Sequence, residues 1–393
     1  MCSDSLNLSP TPGFLSYCAN HEKKVTFRLR QVRRQDQRGR TAGVLPSSHF
    51  QDSGVFLISG AWNADVSMKA EMTALNVGIA VVIPCYREKT HILDVLGRIG
   101  PEVAAIYVVD DCCPEHTGDL VTTQCRDDRV RIVRLESNLG VGGAVLAGAR
   151  LALTDGHRIV VKVDGDGQMD PALIRRFVRP IEDGAADVTK GNRFYDLDNV
   201  RSMPPARLFG NAALSFLTKL SSGYWSIFDP TNGFIAWDSR ILAAIPLEKL
   251  ASRYFFESDM LFRIGLLRAK VLDIPMAATY GSEVSGLNPG KQLLPFLLGN
   301  LRNFFKRIVY NYFLRDFNVG SIEITFGSAL CVFGLVYGVL HWGVTEPATA
   351  GTVMTAALPL LTGILLLVSF INYDVQQAPR EPIANRLPHS DME

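Results

Sequence analysis

Three acidic residues, Asp164, Asp166 and Asp170, lie within the seven residues 164–170 at the end of an apolar run. In "VVKVDGDGQMDP" the residues before the first Asp have the apolar character of a strand that is buried on both faces. Carboxylate and amide oxygens are hard ligands for divalent cations, and glycines let the backbone turn close to a ligand. Asp-Gly pairs also form ordinary solvated turns. The position at the end of a buried strand favours the metal site.

Two further polar clusters follow apolar runs that precede this one in the chain. "PCYRE" ends the run "VGIAVVIPCY", and "DDCCPEHTGD" ends the run "AAIYVVDD". Between such runs lie segments with helical spacing, "HILDVLGRI", "TGDLVTTQC" and "VGGAVLAGARLAL". This alternation predicts an α/β fold with a doubly wound, mostly parallel sheet. Because ligands bind at the carboxyl ends of the strands in such sheets, we expect the three clusters to form one site.

A glycine-rich turn, "NLGVGGAVLAG", opens the third predicted helix at residues 138–148. The dinucleotide-binding fingerprint needs the spacing G-x-G-x-x-G, generally in the first βα turn. Gly140, Gly142 and Gly143 have neither that spacing nor that place, which argues against a dehydrogenase. Two interpretations remain: phosphate or sugar approaches the helix N-terminus, or the helix packs closely on a strand. Elsewhere, Asp170 before Pro171 has the pattern of a helix N-cap with proline at the first helical position.

Two segments near the C-terminus, residues 324–345 and 347–373, contain no Asp, Glu, Lys or Arg. Each is long enough for a membrane span of roughly 20 residues. A helical hairpin buried in a soluble core is the alternative. Basic residues flank the pair and are absent between the two segments, so the positive-inside rule places both flanks in the cytoplasm. The flanking residues are Arg302, Lys306, Arg307, Arg315, Arg380 and Arg386.

The overall composition excludes several classes of protein. The chain of 393 residues has 40 basic and 39 acidic side chains, so no global field favours nucleic acid as a partner. The seven cysteines include no C-x-x-C pair, and we expect reduced thiols. Residues 1–75 show no sustained periodicity. We expect a poorly ordered N-terminal extension there, or sequence upstream of a true start at Met68 or Met72.

The motifs "VVIPCYRE", "VVDD", "NLGVGGAVLAG", "VDGDGQMDP", "KGNRF" and "DPTNGF" occur in this order. As a set they resemble the family 2 inverting glycosyltransferases with the GT-A fold. The similarity is greatest to the branch of dolichyl-phosphate mannose synthases and bacterial GtrB-like polyprenyl-phosphate glycosyltransferases, over residues 77–317. The expected domains are a catalytic GT-A domain (76–292), juxtamembrane amphipathic helices (293–317), a two-helix transmembrane hairpin (318–374) and a cytoplasmic tail (375–393).

The resemblance implies a role for each matching residue. Asp166 and Gln168 would bind Mg²⁺ or Mn²⁺. Lys291, after "EVSGLNPG", would belong to a mobile loop over the sugar diphosphate. The nucleotide would be bound by Pro84, Tyr86, Glu88, Asp110, Asp111 and Asp164. The phosphate of the lipid acceptor would be bound by Arg193, Arg207 and Asn211. The catalytic group would comprise Asp166, Arg193, Arg207 and Lys291.

The expected chemistry agrees with this set of side chains. A nucleoside diphosphate leaves with growing negative charge, which a divalent cation stabilises as a Lewis acid. A lipid phosphate is largely ionised at neutral pH, so it needs positioning by arginines more than it needs a general base. Many members of the family carry Glu-Asp where this chain has "FFESDM". Glu257 or Asp259 would orient a sugar hydroxyl, or both would be caps or ion-pair partners of their helix.

The sequence therefore predicts a hexosyltransferase-type enzyme of the plasma (inner) membrane, multi-pass, with a cytoplasmic catalytic domain. It would move one sugar from a nucleotide-sugar, with UDP favoured over GDP by analogy with two-span bacterial members, to undecaprenyl or dolichyl phosphate. A processive polysaccharide synthase is one alternative, although the Q-x-x-R-W motif of those enzymes is absent because the chain has no Arg-Trp pair. A non-enzymatic nucleotide-binding membrane scaffold is the other. Small residues in the spans (Gly327, Ser328, Gly334, Gly338) would also suit a homo-oligomer.

Overall fold

The computed structural model describes residues 78–195, 205–277, 289–342 and 347–387. The predictions for residues 1–75, including the two candidate start methionines, lie outside this range. Within it, seven strands form one sheet in the order β3-β2-β1-β4-β6-β5-β7. The strands are β1 (Ile79–Cys85), β2 (Val103–Asp110), β3 (Val130–Arg134), β4 (Ile159–Lys162), β5 (Val188–Asn192), β6 (Ile235–Asp238) and β7 (Val271–Pro275).

The helices of the described segments cover both faces of this sheet and continue beyond it. They are α1 (Ile92–Gly97), α2 (Thr117–Gln124), α3 (Val141–Thr154), α4 (Ile174–Glu182), α5 (Pro205–Ser222), α6 (Ser239–Ala244), α7 (Phe256–Leu267), α8 (Pro289–Val309), α9 (Val319–His341) and α10 (Ala350–Gln376). A π-helical turn, Tyr310–Arg315, extends α8. Short 3₁₀ turns occur at Pro171–Leu173, Arg193–Tyr195, Leu247–Lys249 and Ala384–Arg386.

The alternation of strands and helices confirms the predicted α/β architecture. β1 pairs in parallel with β2 on one side and with β4 on the other. All seven residues of β1 are buried, as expected for the centre of a doubly wound sheet. β6 is the exception to the parallel order, since it runs antiparallel to β4 and to β5. The predicted N-cap is also confirmed: the Asp170 side chain accepts the Ala172 amide at 3.1 Å, and Pro171 opens the turn into α4.

The glycine-rich start of α3 is explained by packing. A Cβ atom at Gly142 would lie 2.5 Å from the Ala251 carbonyl oxygen, and the amide of Gly143 donates to the Ser252 carbonyl at 2.9 Å. Further along the helix, a Cβ at Gly148 would lie 2.5 Å from a methyl group of Val82 on β1. Of the two interpretations left open above, close packing is the one that these contacts support.

α9 and α10 are long and apolar enough to cross a membrane, by length and composition. Only 22% and 11% of their most apolar windows are buried, which argues against a hairpin in a soluble core. The two helices approach closely at glycines: a Cβ at Gly334 would lie 2.7 Å from the Ala356 carbonyl oxygen, and one at Gly363 would lie 2.7 Å from the Cys331 amide nitrogen. Gly327 and Gly334, suggested above as contacts between protomers, therefore serve the packing of α9 on α10.

A buried ion pair joins this hairpin to the sheet domain. Near the end of α10, the Asp374 carboxylate accepts two bonds from the Arg307 guanidinium of α8, at 2.6 and 2.9 Å. The Tyr312 hydroxyl and the Trp225 indole N–H donate to the same carboxylate at 2.6 and 2.8 Å. Both charges are almost completely buried, so these donors offset the cost of removing them from water. Arg307 thus acts as a structural contact rather than as a solvated flanking charge.

The residues after α10 return to the sheet domain. The amides of Ile383 and Ala384 donate to the buried carboxylate of Asp187, which also accepts the Lys270 amide at 2.7 Å. The Arg240 guanidinium donates to the Asn385 side chain at 2.9 Å. The start of the predicted tail, 375–393, is therefore packed against the domain that precedes the hairpin.

Asp187→Ala should release this returning segment, because three backbone N–H groups would lose their acceptor. Each buried donor left without a partner costs about 1–3 kcal/mol, so the loss in the free energy of unfolding should be at least about 3 kcal/mol. Thermal unfolding of the full chain in detergent measures the loss, and limited proteolysis within residues 377–387 reports the release. Asp183→Ala is the control, since its pair with Arg179 is exposed. Equal proteolysis of both variants would contradict the assignment.

Candidate active site

The three polar clusters meet at one edge of the sheet. Because β1, β2 and β4 are neighbours and parallel, the residues after Cys85, Asp110 and Lys162 leave the sheet on the same side. Contacts confirm the proximity: a Cβ at Gly165 would lie 3.4 Å from the Cys85 sulfur and from Cγ of Glu88. The order of the strands reverses between β1 and β4, where ligands of doubly wound sheets bind. Pro84, Tyr86 and Glu88 border this point, and Tyr86 is exposed.

Asp110 and Asp111 are buried, and their carboxylates bind backbone amides. Asp110 accepts the amides of Cys113 and Gly118, both at 2.8 Å, and so holds the start of α2 against β2. Asp111 accepts the amides of Leu139 and Gly140 at 2.7 and 2.8 Å. Burial raises the pKa of Asp111, and these two amides and the nearby Arg253 oppose that effect. Both residues therefore shape the two loops at this edge, and their predicted contacts with base and ribose stay predictions.

The "DGDGQ" loop has the compact backbone that its glycines predict. Gly167 adopts φ +74°, a region that favours glycine, and the Gln168 amide donates to the Asp166 carboxylate at 3.0 Å. Asp166 and Gln168 are half-buried at the edge. Across the described residues, no group of three or more His, Cys, Asp or Glu side chains is placed to hold a metal ion. The oxygens of Asp166 and Gln168 fit part of a Mg²⁺ or Mn²⁺ shell, with diphosphate and water supplying the rest.

A buried lysine connects two carboxylates beneath this loop. The Lys162 ammonium of β4 lies 2.7 Å from Oδ1 of Asp164 and 3.3 Å from Oε1 of Glu257, and its side chain is 1% exposed. Burial by itself lowers the pKa of Lys162, but the two carboxylates outweigh it and the net shift is upward. The ammonium therefore stays charged at neutral pH, and it ties α7 to the "DGDGQ" loop.

The two acids of "FFESDM" have different surroundings. Glu257 reaches the edge of the sheet through Lys162. Asp259 is fully buried, and its carboxylate accepts from the Ala251 amide at 3.0 Å, the Asn303 amide group at 2.8 Å and the Arg263 guanidinium at 3.3 Å. Asp259 is thus an ion-pair partner within α7, and it also binds the backbone of the preceding loop at Ala251. Glu257 is the acid that lies at the site.

Arg193, predicted to bind the acceptor phosphate, is oriented by the motif "DPTNGF". Its guanidinium forms two bonds with the buried Asp229 carboxylate, at 2.7 and 3.0 Å. Lys190 lies three residues earlier, on β5, and donates to the Asn232 carbonyl. Burial lowers its pKa to about 8. Arg207 and Asn211 lie one turn apart in α5, and Lys291 lies near the start of α8. Their side chains are outside the described part of the structure, so their roles stay predictions.

Sequence reasoning did not single out Lys162 or Asp229. The signal for Lys162 was present, since a lysine within a strand predicted to be buried on both faces needs an acidic partner. Its partner Asp164 lies two residues away, whereas Glu257 lies 95 residues away and could be identified only from the fold. Asp229 carried a weaker signal, because Asp before Pro is common in turns.

The comparisons with known proteins agree with this architecture. The sequence profile described as glycosyl transferase family 2 matches residues 80–245. The undecaprenyl-phosphate mannosyltransferase of Micrococcus luteus is 30% identical over 202 residues, which are 50% of this chain and 82% of that protein. The polyprenol monophosphomannose synthase of Mycolicibacterium smegmatis is 31% identical over 218 residues, which are 53% of this chain and 81% of that protein. A UDP-N-acetylglucosamine–dolichyl-phosphate N-acetylglucosaminyltransferase of Methanococcus voltae is 26% identical over 216 residues, which are 51% of this chain and 86% of that protein.

The fold and the edge of the sheet define an α/β protein of the GT-A type. With relatives of this identity and coverage, the chain belongs to glycosyl transferase family 2. The resemblance drawn from the sequence motifs is thereby confirmed.

Gly233→Ala should damage the site more than the fold. A Cβ there would lie 2.3 Å from the Lys162 nitrogen and 2.4 Å from Oδ2 of Asp164, so the ion pair must move. We expect nucleotide binding to weaken by about tenfold or more, which corresponds to about 1.4 kcal/mol. Calorimetry with UDP and GDP in the presence of Mn²⁺ measures the change. Gly97→Ala is the control, since the added methyl group would meet no atom within 4 Å. Equal nucleotide affinities of the two variants would contradict the prediction.

Proposed function

We propose that this protein transfers a single sugar from a nucleotide-sugar to a polyprenyl phosphate at the cytoplasmic face of the membrane. The observation that carries the proposal is the reversed polarity of α8, which exposes leucines and buries polar side chains next to the catalytic domain. A soluble helix would show the opposite pattern. The relatives named above act on undecaprenyl, polyprenol and dolichyl phosphates, which supports a lipid acceptor.

The exposed face of α8 is mainly apolar, and two basic side chains, Arg302 and Lys306, are exposed with it. Leu293 and Leu294 are 65% and 60% exposed. The same face continues at one-turn intervals through Leu297, Leu298, Leu301 and Phe305. The opposite face buries Asn300 and Asn303, which donate to or accept from side chains of α5 and α7. Such a helix suits the boundary between headgroups and acyl chains, where its leucines enter the apolar layer.

The donor would bind at the edge where β1, β2 and β4 end. Asp166 and Gln168 would hold the divalent cation, which supplies Lewis-acid stabilisation of the departing diphosphate when bound. Asp164, fixed by Lys162, would contact the nucleotide. Pro84, Tyr86 and Glu88 would line the base pocket at the neighbouring strand end. UDP is favoured over GDP by analogy with two-span bacterial relatives.

The acceptor phosphate would be positioned by arginines. The Asp229 carboxylate fixes the Arg193 guanidinium in one orientation, which lowers the entropy cost of placing a phosphate oxygen beside the sugar carbon. Arg207 and Asn211 of α5 would complete the phosphate site, and Lys291 would close over the donor. Because the nucleophile is already ionised, positioning replaces a general base, and attack opposite the leaving diphosphate inverts the anomeric carbon.

The membrane arrangement follows from the helices and the flanking charges. α9 and α10 would cross the membrane as a hairpin with a short external loop, so the catalytic domain and the returning C-terminal segment lie on the cytoplasmic side. The ion pair of Arg307 with Asp374 would hold the domain against the inner end of the second span. In bacteria this is the inner membrane.

Asp166→Ala should abolish transfer, because the cation loses its carboxylate, and we expect a loss on the order of 100-fold or more. The control is Asp170→Ala in the same loop, which should keep activity and lose about 1 kcal/mol of stability with its cap. The assay incubates radiolabelled UDP- and GDP-sugars with undecaprenyl phosphate, with and without EDTA. Chloroform-extractable product that EDTA suppresses supports the proposal. Insoluble polymer would point to a processive synthase, and the absence of any product with the tested sugars would refute the proposed transfer.

A further inference from the structure

Lys162 is a buried cation whose two partners face the cleft. Its own side chain is 1% exposed, whereas those of Asp164 and Glu257 are 26% and 11% exposed. The ammonium lies within hydrogen-bonding distance of both, at 2.7 and 3.3 Å. Both carboxylates therefore contact the ammonium and stay more accessible than the ammonium itself.

Packing alone gives no reason for a lysine at this position. The neighbours of Lys162 on β4, Val161 and Val163, are fully buried apolar residues, and a valine would continue the strand without desolvating a charge. The chain instead leaves room for the ammonium. Gly233, at the start of the neighbouring segment, has no side chain where a Cβ would lie 2.3 Å from the nitrogen.

A second buried lysine nearby donates to a carbonyl group instead, although the Glu257 carboxylate also acts to raise its pKa. Lys162 on β4 and Lys190 on β5 stand opposite the same residue of β6, Ile235, from its two sides. Lys190 donates to the Asn232 carbonyl, and burial lowers its pKa. Lys162 contacts the carboxylates of Asp164 and Glu257, and these raise its pKa so that the ammonium stays charged.

The charges at the edge explain what such a cation does. Asp164, Asp166 and Glu257 bring three carboxylates to the place where a nucleoside diphosphate must bind. Like charges in a partly buried site repel strongly because the effective dielectric constant is low. A divalent cation held by Asp166 would offset part of this charge. The fixed ammonium offsets the charge of the other two acids.

We propose that Lys162 is a positioning residue that holds Asp164 and Glu257 in place and balances their charge, so that the donor diphosphate binds without repulsion. This inference rests on the proposed function. It assigns no contact between Lys162 and the donor. The effect passes through the two carboxylates, so it appears in donor affinity rather than in the chemical step.

The test measures binding of UDP and of GDP, each with Mn²⁺, to the full-length protein by calorimetry, together with KM and kcat in the transfer assay. Lys162→Met should raise Kd and the donor KM by about tenfold or more and change kcat less, because two unbalanced carboxylates remain. The double variant Lys162→Met/Glu257→Gln should recover most of the lost affinity, since removal of one negative charge restores the balance. Lys190→Met is the comparison variant: it removes a buried lysine that interacts with Glu257 only at longer range, so it should raise Kd clearly less than Lys162→Met does.

Glu257→Gln alone keeps the test decisive even when Lys162→Met fails to fold. With the ammonium still present and one negative charge removed, the nucleotide should bind as tightly as in the wild type or tighter. Weaker binding by Glu257→Gln would overturn the inference, as would unchanged Kd in Lys162→Met or a double variant no better than the single one. If the wild-type chain binds neither nucleotide, the proposed function itself fails. If the wild type binds nucleotide and Lys162→Met binds it equally well, the inference is wrong but the proposed function is unaffected.

Discussion

The parallel pairing of β1 with β2 and β4 is the constraint on which the site depends. It aligns Cys85 with Asp110 and Val82 with Lys162, so that three polar segments leave the sheet side by side. Parallel neighbours require crossover helices, and the close approach of α3 to β1 at Gly148 shows how tightly one of these covers the sheet. The position of the polar side chains at this edge is therefore determined by the backbone hydrogen bonds between the strands.

Buried charges, each with several partners, connect the parts of the molecule. Asp187 receives the returning C-terminal segment, and Asp374 fixes the helical hairpin. Asp229 orients Arg193, and Lys162 joins α7 to the "DGDGQ" loop. An isolated charge in these places would be costly, whereas a charge with a full set of donors or acceptors fixes one geometry. These contacts are directional, so they specify how the elements are oriented where apolar packing alone would allow sliding.

The polarity of α8 relates the catalytic domain to its proposed surroundings. Its polar side chains bind α5, α7 and the end of α10, and its leucines point outward. In the proposed function this helix rests in the interface, with the phosphate-binding arginines near headgroup depth. A lipid acceptor would then reach the donor without leaving the membrane, because α8 packs directly on α5 and on α7, which carries Glu257 at the edge of the sheet.

Sequence patterns alone determined the alternating strands and helices, the three polar strand ends, the cap at Asp170 and the two candidate spans, because periodicity and capping are local properties. The motif order also identified the family. Tertiary structure decided matters that depend on residues far apart in the chain. Glu257 and Asp259 are two residues apart and look equivalent in sequence, but only Glu257 meets Lys162, while Asp259 binds Asn303. Likewise, Gly334 serves the contact with α10, and the residues after α10 pack on Asp187. The charged partners named here lie 44 to 197 residues apart and leave no periodic trace, so the sequence did not identify which residues pair.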